Sequence, residues 1–308
     1  MKRLIILTTI LPLLVVGCRK SYDCPPKVNT TVYFTLKDNA NNEVFTEVVN
    51  HVELFIYDCY GFQTSRSTIY GSDLSTFAGK RLWLEPGTYT IIVWANTTNS
   101  YSRFFINDSK PCSDIEQNYL LNAVAVNGVV ANSDPLYYAP KKRSIPLTII
   151  VPERGNVEAV AEFRHAHVKL DISVEGYNHV SSRTAADPLK IELTDITSRY
   201  CFEMGGHGNK VSYLQNAPNT DLDNKIFRTS FNIPVFNRNS TTQICVTNNA
   251  GQLIISPISL VEILDEKINI DELQHLPVRI IFTEEDGTIK AKVTVDLPQW
   301  NEENVEPF

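Results

Sequence analysis

The chain has 308 residues, 43% of them hydrophobic and 20% charged, and a formal net charge of −7. This acidic balance argues against nucleic acid or anionic lipid as a partner, because both attract basic surfaces. Only 2 residues are methionine, whereas β-branched and aromatic residues are plentiful, and this composition favours strands over helices. The length suits two domains of ordinary size.

The N-terminus has the pattern of a secretory signal. Lys2 and Arg3 form a short positive start, and Leu4 to Val16 form an apolar run that is too short to span a bilayer. Gly17 and Cys18 end this run in the manner of a bacterial lipobox, where a small residue precedes the modified cysteine. We therefore predict a signal peptide over residues 1–17 and a lipidated tether over 18–29. The alternative is an ordinary signal peptide with a chance cysteine.

Lipidation of Cys18 would anchor the chain without a transmembrane helix. The lipobox resemblance implies that its thiol receives a diacylglycerol, that the chain is cut before it, and that its amine then receives a fatty acid such as palmitate. Several acyl chains together give stable membrane anchoring, since each buried methylene contributes about 0.8 kcal/mol. Removal of residues 1–17 would leave a net charge near −9 (−7 − 2), because Lys2 and Arg3 go with them.

Residues 30–152 read as a first β-sandwich of short strands separated by turn signals. The segment Thr88–Ala95 is apolar on both faces at Ile92 and Trp94, which predicts a strand at the centre of a sheet. Glu85-Pro86-Gly87 before it predicts a tight turn. The predicted strands are Thr31–Leu36, Val52–Tyr57, Arg81–Leu84, Thr88–Ala95, Leu136–Ala139 and Ile145–Val151.

A cluster of proline, glycine and charge at residues 152–155 predicts a domain boundary, and residues 153–308 read as a second β-sandwich. We expect a flexible loop at Gly205–Gly208, one helical turn within Ile270–Leu276, and a hairpin turn at Asp286-Gly287. The predicted strands are Val168–Val174, Leu189–Leu193, Phe227–Ile233, Gln252–Ile258, Val278–Phe282 and Ile289–Leu297. The fold class is all-β, with two tandem sandwiches.

The residues do not form a catalytic or metal-binding motif. His165 and His167 would share one face of a strand, because side chains repeat every second residue, but no third metal ligand is evident. A structural histidine pair is the preferred interpretation. No nucleophile elbow or phosphate loop is present in the sequence. We predict no enzyme activity, no catalytic residue, no cofactor and no metal site.

Five further cysteines leave two interpretations open. Secreted chains meet oxidising conditions, so the thiols could pair within each predicted domain, Cys59 with Cys112 and Cys201 with Cys245, leaving Cys24 in the tether. They could equally be small buried hydrophobic residues.

Taken together, the chain resembles the fimbrial anchor subunits of Bacteroidales, which are lipoproteins at the base of type V pili. The resemblance is carried by the lipobox at Cys18, by Val52–Asp58 followed by Gly61, by Leu84–Asn96, and by Ala161–Leu170. It implies two transthyretin-like sandwiches without catalysis. It also implies fimbrial pilin subunits as partners, bound by strand addition at an open sheet edge, with a possible limit on fimbrial length. The implied location is the cell outer membrane, reached through lipid on Cys18.

Two alternatives stay open at this point. One is a surface lipoprotein that binds glycans, which would need an exposed aromatic platform. Trp83, Trp94 and Trp300 are the candidates, although Trp83 and Trp94 are predicted to lie in the core. The other is an accessory or tip pilin with the same fold.

Overall fold

The computed structural model describes residues 28–296 except 39, 98–99, 106–118, 122–125, 141–144, 178–187, 203, 222–225 and 287. Strands dominate this part of the chain and form four sheets. The prediction of an all-β fold is confirmed. Cys18, Cys24, Cys112 and Trp300 lie outside the described residues.

The strands of the first half follow one another in short segments. They are β1 Thr30–Thr35, β2 His51–Tyr57, β3 Gln63–Tyr70, β4 Gly79–Leu82, β5 Gly87–Ala95, β6 Arg103–Phe105, β7 Tyr119–Leu121, β8 Val129–Val130, β9 Tyr137–Ala139 and β10 Leu147–Val151. Two short helices lie between them, α1 at Phe45–Val48 and α2 at Gly71–Thr76.

The second half contains the longest strands. They are β11 Val157–Glu162, β12 Arg164–His165, β13 His167–Glu175, β14 Leu189–Cys201, β15 Gly206–Ala217, β16 Asn219–Asp221, β17 Ile226–Pro234, β18 Gln243–Thr247, β19 Ile258–Ser259, β20 His275–Glu285 and β21 Thr288–Val295. A 3-10 turn covers Ile270–Glu272, where one helical turn was predicted.

The first sandwich packs a sheet of order β11-β1-β4 against one of order β12-β9-β5-β2-β3, with β10 also paired to β5. Its core is made by the alternating inward residues of β1, β2 and β5, such as Val32, Phe34 and Val93. β5 lies inside its sheet, and Ile92 and Trp94 are buried on the opposite face, as the two apolar faces predicted.

The second sandwich packs a sheet of order β16-β17-β13-β20-β21 against one of order β19-β18-β14-β15-β8. The central strand β13 alternates as predicted: Val168, Leu170, Ile172 and Val174 are buried in the core, and the side chains between them face outward. This face pattern follows from the two-residue repeat of a strand.

Strand pairing crosses the boundary predicted at residue 152 in both directions. β11 and β12 follow that boundary in sequence but pair with β1 and β9 of the first sandwich. β7 and β8 precede the boundary but pair with β14 and β15 of the second. The boundary itself stays a prediction. The pairing shows that each sandwich contains strands from both sides of residue 152.

A buried aromatic cluster fills the space between the two sandwiches. Its centre is Trp94, whose ring centroid lies 4.8 Å from that of Tyr138 and 5.4 Å from that of Tyr200 on β14. We call it the inter-sandwich cluster, and its residues are Phe55, Tyr57, Ile92, Trp94, Leu120, Leu136, Tyr138, Ala166, Tyr200, Phe202 and Met204. Burial of this much aromatic surface holds the two sandwiches together.

Hydrogen bonds add direction to this contact. The Tyr200 hydroxyl donates to the Ala166 carbonyl oxygen at 2.6 Å and accepts from the Val235 amide at 2.8 Å. The Ala166 amide in turn donates to the Leu136 carbonyl oxygen at 2.8 Å. Ala166 lies between β12 and β13, so these bonds fix the point where the chain passes from one sandwich to the other.

Two sequence predictions were wrong in detail. Gly206 begins the strand β15 instead of continuing a flexible loop, because the segment pairs with the long strand β14. Most of Gln252–Ile258 is not a strand: Leu253 forms an isolated bridge with Thr247, and the one strand here, Ile258–Ser259, pairs with β18. The glycine-rich segment is a strand because it pairs with a distant strand, and the apolar segment is mostly irregular because such pairing does not extend over its length.

Replacement of Trp94 by alanine tests the inter-sandwich cluster. We expect the free energy of unfolding to fall by about 3–5 kcal/mol, since a fully buried aromatic side chain leaves a cavity. Trp83→Ala is the matched control and should cost much less, because half of the Trp83 side chain is already in solvent. Urea unfolding of both variants measures this, and equal losses would contradict the role given to Trp94.

Candidate functional site

The histidine pair singled out in the sequence lies where the two sandwiches meet, because His165 ends β12 and His167 begins β13. The rings of His165 and His167 lie 5.1 Å apart, and both pack against Tyr137. The Nδ1 atom of His167 is 2.8 Å from the Leu136 carbonyl oxygen. Among the described residues, no three His, Cys, Asp or Glu side chains are grouped as metal ligands.

Burial lowers the pKa of both imidazoles. The pKa of His167 falls to about 4 because the ring is removed from water, and the pKa of His165 falls to about 3 because of burial and the nearby charges of His167 and Arg164. Both rings are therefore neutral at physiological pH. His165 pairs with Tyr137 across β12 and β9, and both rings fill space at the point where the chain enters β13.

The acidic turn after β1 is also structural. The Asp38 carboxylate accepts hydrogen bonds from the backbone amides of Ala40 and Asn42 at 2.9 and 2.8 Å. The Glu43 carboxylate accepts from the amides of Leu36 and Phe45. These carboxylate oxygens accept backbone hydrogen bonds and so hold the turn together.

The cysteines that the structure describes are unpaired. Cys59 is exposed, whereas Cys201 and Cys245 are partly buried, and all three carry free thiols. The Cys201–Cys245 pair considered from the sequence is therefore not formed. Cys201 instead accepts a hydrogen bond at Sγ from the Gly205 amide at 3.1 Å, at the turn between β14 and β15.

The tryptophans do not form one aromatic platform. Trp94 is fully buried, as predicted, but Trp83 is 50% exposed, so the prediction that Trp83 belongs to the core was wrong. Trp83 follows the end of β4, a terminal strand of its sheet, and so its side chain is not covered by a neighbouring strand. Trp300 lies outside the described residues.

Open sheet edges are the remaining surfaces that could bind another chain. The terminal strands are β11, β4, β12, β3, β16, β21, β19 and β8 at the ends of the four sheet orders, and β10 and β6, which branch from them and pair on one side only. Two of them stand out by length, β3 and β21, with 8 residues each, whereas the others have at most 6. A long unpaired strand offers a row of backbone donors and acceptors to an incoming strand.

β21 carries the charges that usually protect an edge. Lys290 and Lys292 lie on this strand and are exposed, and the Lys290 ammonium pairs with Glu285 at 2.5 Å. Lysine on an edge strand disfavours pairing with another chain, because a new neighbour would have to desolvate the charge.

β3 lacks this protection in the described structure. Its one charged side chain, Arg66, is turned onto β2, where Nε bonds the Glu53 carboxylate at 3.1 Å and the guanidinium stacks on Phe55 at 5.1 Å. The Thr68 hydroxyl donates to the same carboxylate at 2.7 Å. β3 thus presents a long, neutral, polar edge, and sequence reasoning missed it because Gln63–Tyr70 has few apolar residues.

Two sandwiches joined by a buried cluster, with long open sheet edges, define a β-protein whose candidate functional surface is a strand edge. The family model of the fimbrillin-A associated anchor proteins Mfa1 and Mfa2 matches residues 20–306. The chain belongs to this family, which confirms the resemblance seen in the sequence. It is a fimbria-associated structural protein and not an enzyme.

Solved structures share the fold at low identity. The fimbrial anchor protein Mfa2 from Porphyromonas gingivalis has a TM-score of 0.67 at 18% identity, over 87% of this chain and 96% of that one. A candidate adhesin from Bacteroides ovatus has a TM-score of 0.70 at 12% identity, over 89% and 94%. A candidate polysaccharide-binding protein from Bacteroides thetaiotaomicron has a TM-score of 0.68 at 13% identity, over 88% of this chain and 96% of that one. No curated protein matches the sequence.

Membrane-spanning helices were sought in the described ranges, and none there is both long and apolar enough to cross a bilayer.

Acidification should destabilise the protein through the histidine pair. Because the pKa of both rings is lowered in the fold, the unfolded chain binds these protons at higher pH than the folded chain does. The stability contributed is present above the unfolded pKa of 6.5 and is lost as pH falls towards the folded values of about 4 and 3. We expect a loss on the order of 2 kcal/mol per histidine at about pH 5.

Urea unfolding at about pH 7.5 and pH 5 measures this loss. The double variant His165→Gln, His167→Gln should show a smaller difference between the two pH values, and a general loss of stability cancels in that comparison. An unchanged difference would contradict the assignment to this pair.

Proposed function

We propose that the chain is the lipid-anchored base subunit of a fimbrium at the cell outer membrane. The observation that carries this proposal is the family match, which begins at residue 20, two residues after the predicted lipidation site Cys18. In this proposal, acyl chains on Cys18 hold the protein in the membrane, residues 18–29 form the tether, and the two sandwiches bind the first fimbrial subunit. By ending the fimbrium on a fixed base, the protein would also limit fimbrial length.

We further propose that β3 accepts an extended segment of a pilin by strand addition. Backbone hydrogen bonds along an edge supply affinity, and pockets for alternate side chains supply selectivity. β3 supports this role by its length of 8 residues and by the ion pair that holds its one cation, the 40% exposed Arg66 side chain, to the buried Glu53 carboxylate and over the Phe55 ring. β21 has equal length but exposes Lys290 and Lys292, which disfavour the same pairing.

Replacement of Cys18 by alanine tests the anchor. The variant should leave the membrane fraction and release fimbriae into the medium, because the thiol that carries the lipid is gone. Cys24→Ala is the matched control in the same tether and should stay in the membrane fraction. Membrane retention of the Cys18 variant would contradict the proposal. Immunogold labelling at the distal end of fimbriae would instead place the protein at the tip.

Replacement of Ser67 by lysine tests the edge. Ser67 lies in the middle of β3 opposite Leu54, and a lysine there must be desolvated when another strand pairs. We expect co-purification of pilin to fall at least about tenfold, which corresponds to about 1.4 kcal/mol.

The matched control for this edge variant is Ala291→Lys, an exposed position on β21, which should leave pilin binding unchanged. Urea unfolding of both variants separates lost binding from lost folding. Equal binding by Ser67→Lys and the parent protein would assign the partner to a different surface.

A further inference from the structure

One end of the first sandwich brings the start of the described chain together with three turns. β1 begins there at Thr30, opposite Leu82 on β4 and Val157 on β11. In the facing sheet, β5 begins there at Gly87, opposite Val151 on β10. β2 ends there too, with Tyr57 opposite Thr90. We call this the tether end, formed by residues 28–30, 57–63, 82–87 and 150–157.

Hydrogen bonds fix the exit of the tether at this end. The Asn29 side-chain amide donates to the Leu84 carbonyl oxygen at 2.7 Å, and its Oδ1 accepts from the Leu84 amide at 3.0 Å. The Asn29 amide also donates to Leu82 at 3.1 Å. Tyr89 donates its hydroxyl hydrogen to the Glu85 carbonyl oxygen at 3.0 Å, on the turn that follows. Asn29 is therefore fixed against the segment that follows β4, which includes Trp83.

The tether end exposes large apolar side chains that the sandwich core does not use. Tyr60 is 80% exposed, Trp83 50% and Phe62 43%, and two aliphatic residues accompany them, Ile150 at 71% and Val28 at 39%. Tyr60 is held in this position by its turn, since the Asp58 carboxylate accepts from the amides of Tyr60 and Phe62 at 2.9 and 3.0 Å. The exposure is therefore built into hydrogen-bonded turns.

The length of the tether restricts how far this end can be from a bilayer. Val28 follows Cys18 by ten residues, which reach at most ~36 Å when fully extended. A lipidated Cys18 would thus keep the tether end closer to the membrane than any surface farther along the sandwiches. Tyrosine and tryptophan are enriched at the membrane–water interface, where the ring is partly buried and its polar atom stays hydrated.

We propose that the tether end lies against the bilayer that anchors Cys18 and inserts Trp83 and Tyr60 into its headgroup region. This inference rests on the proposed lipid anchor. The contact is apolar and aromatic in character, and the charged residues of the tether end, Asp58, Glu85, Glu153 and Arg154, leave it with no excess of positive charge for anionic lipid. Zwitterionic lipid is therefore the matching surface, and the contact should be insensitive to salt.

Tryptophan quenching by brominated lipid tests the proposal. The lipidated full chain with Trp300→Phe is placed in vesicles of phosphatidylethanolamine and phosphatidylcholine, with or without bromine on the acyl chains. Bromine quenches tryptophan emission only at close range. Trp83 and Trp94 are the two remaining fluorophores, and Trp94 is fully buried between the sandwiches. We expect brominated vesicles to lower the emission, equally at low and high salt.

The second variant adds Trp83→Phe to Trp300→Phe, so that the buried Trp94 is its one remaining tryptophan. This variant should show no quenching. Emission that is unchanged by bromine while the protein floats with the vesicles would overturn this inference and leave the lipid anchor intact. Quenching that persists without Trp83 would also overturn it. Protein that does not float with the vesicles would overturn the lipid anchor itself, and with it the contact.

Discussion

Trp94 packs against Tyr138 and Tyr200, and this contact joins the centre of the first sandwich to the longest strand of the second. It uses the outer face of a sheet that would otherwise be exposed to water, so each sandwich completes the other. Strand pairing across the contact also links the two sandwiches, since β11 pairs with β1 of the first and β7 pairs with β14 of the second. The shared strands and the buried contact resist bending between the two sandwiches. This rigidity suits a member of a fimbrial anchor protein family.

Much of the fold could be predicted from residue alternation. β1, β5 and β13 have one or two apolar faces that the two-residue repeat makes visible, and all three lie where that pattern placed them. β3 and β15 could not be recognised from the sequence, because Gln63–Tyr70 is polar and β15 begins in a glycine-rich segment. Both segments form strands because they pair with other strands of their sheets. The exposure of Trp83 depends on the missing neighbour of β4, which a single segment does not reveal. The resemblance predicted an open edge as the binding surface, but the choice of β3 for that proposal needed the sheet order.

Charge placement separates the two long edges more clearly than their length does. The lysines of β21 are exposed to solvent, whereas Arg66 of β3 pairs with the buried Glu53 carboxylate and stacks on two aromatic rings. The same Arg66 thereby satisfies Glu53, which is buried beside Trp94 in the register of β2 and β5. One side chain thus stabilises the inter-sandwich region and leaves its own strand neutral. The edge proposed for pilin binding and the contact that unites the sandwiches are parts of one hydrogen-bonded layer.

The position of β1 determines how the molecule would carry tension. All six residues of β1 pair in parallel with β11, and four of them also pair with β4 on the other side. A pull on the N-terminus is directed along this strand, so the ladder on each side is loaded in shear and its hydrogen bonds resist together. A strand peeled from an edge would break them one after another. The first strand of the described residues is therefore placed where mechanical force is distributed over a whole sheet.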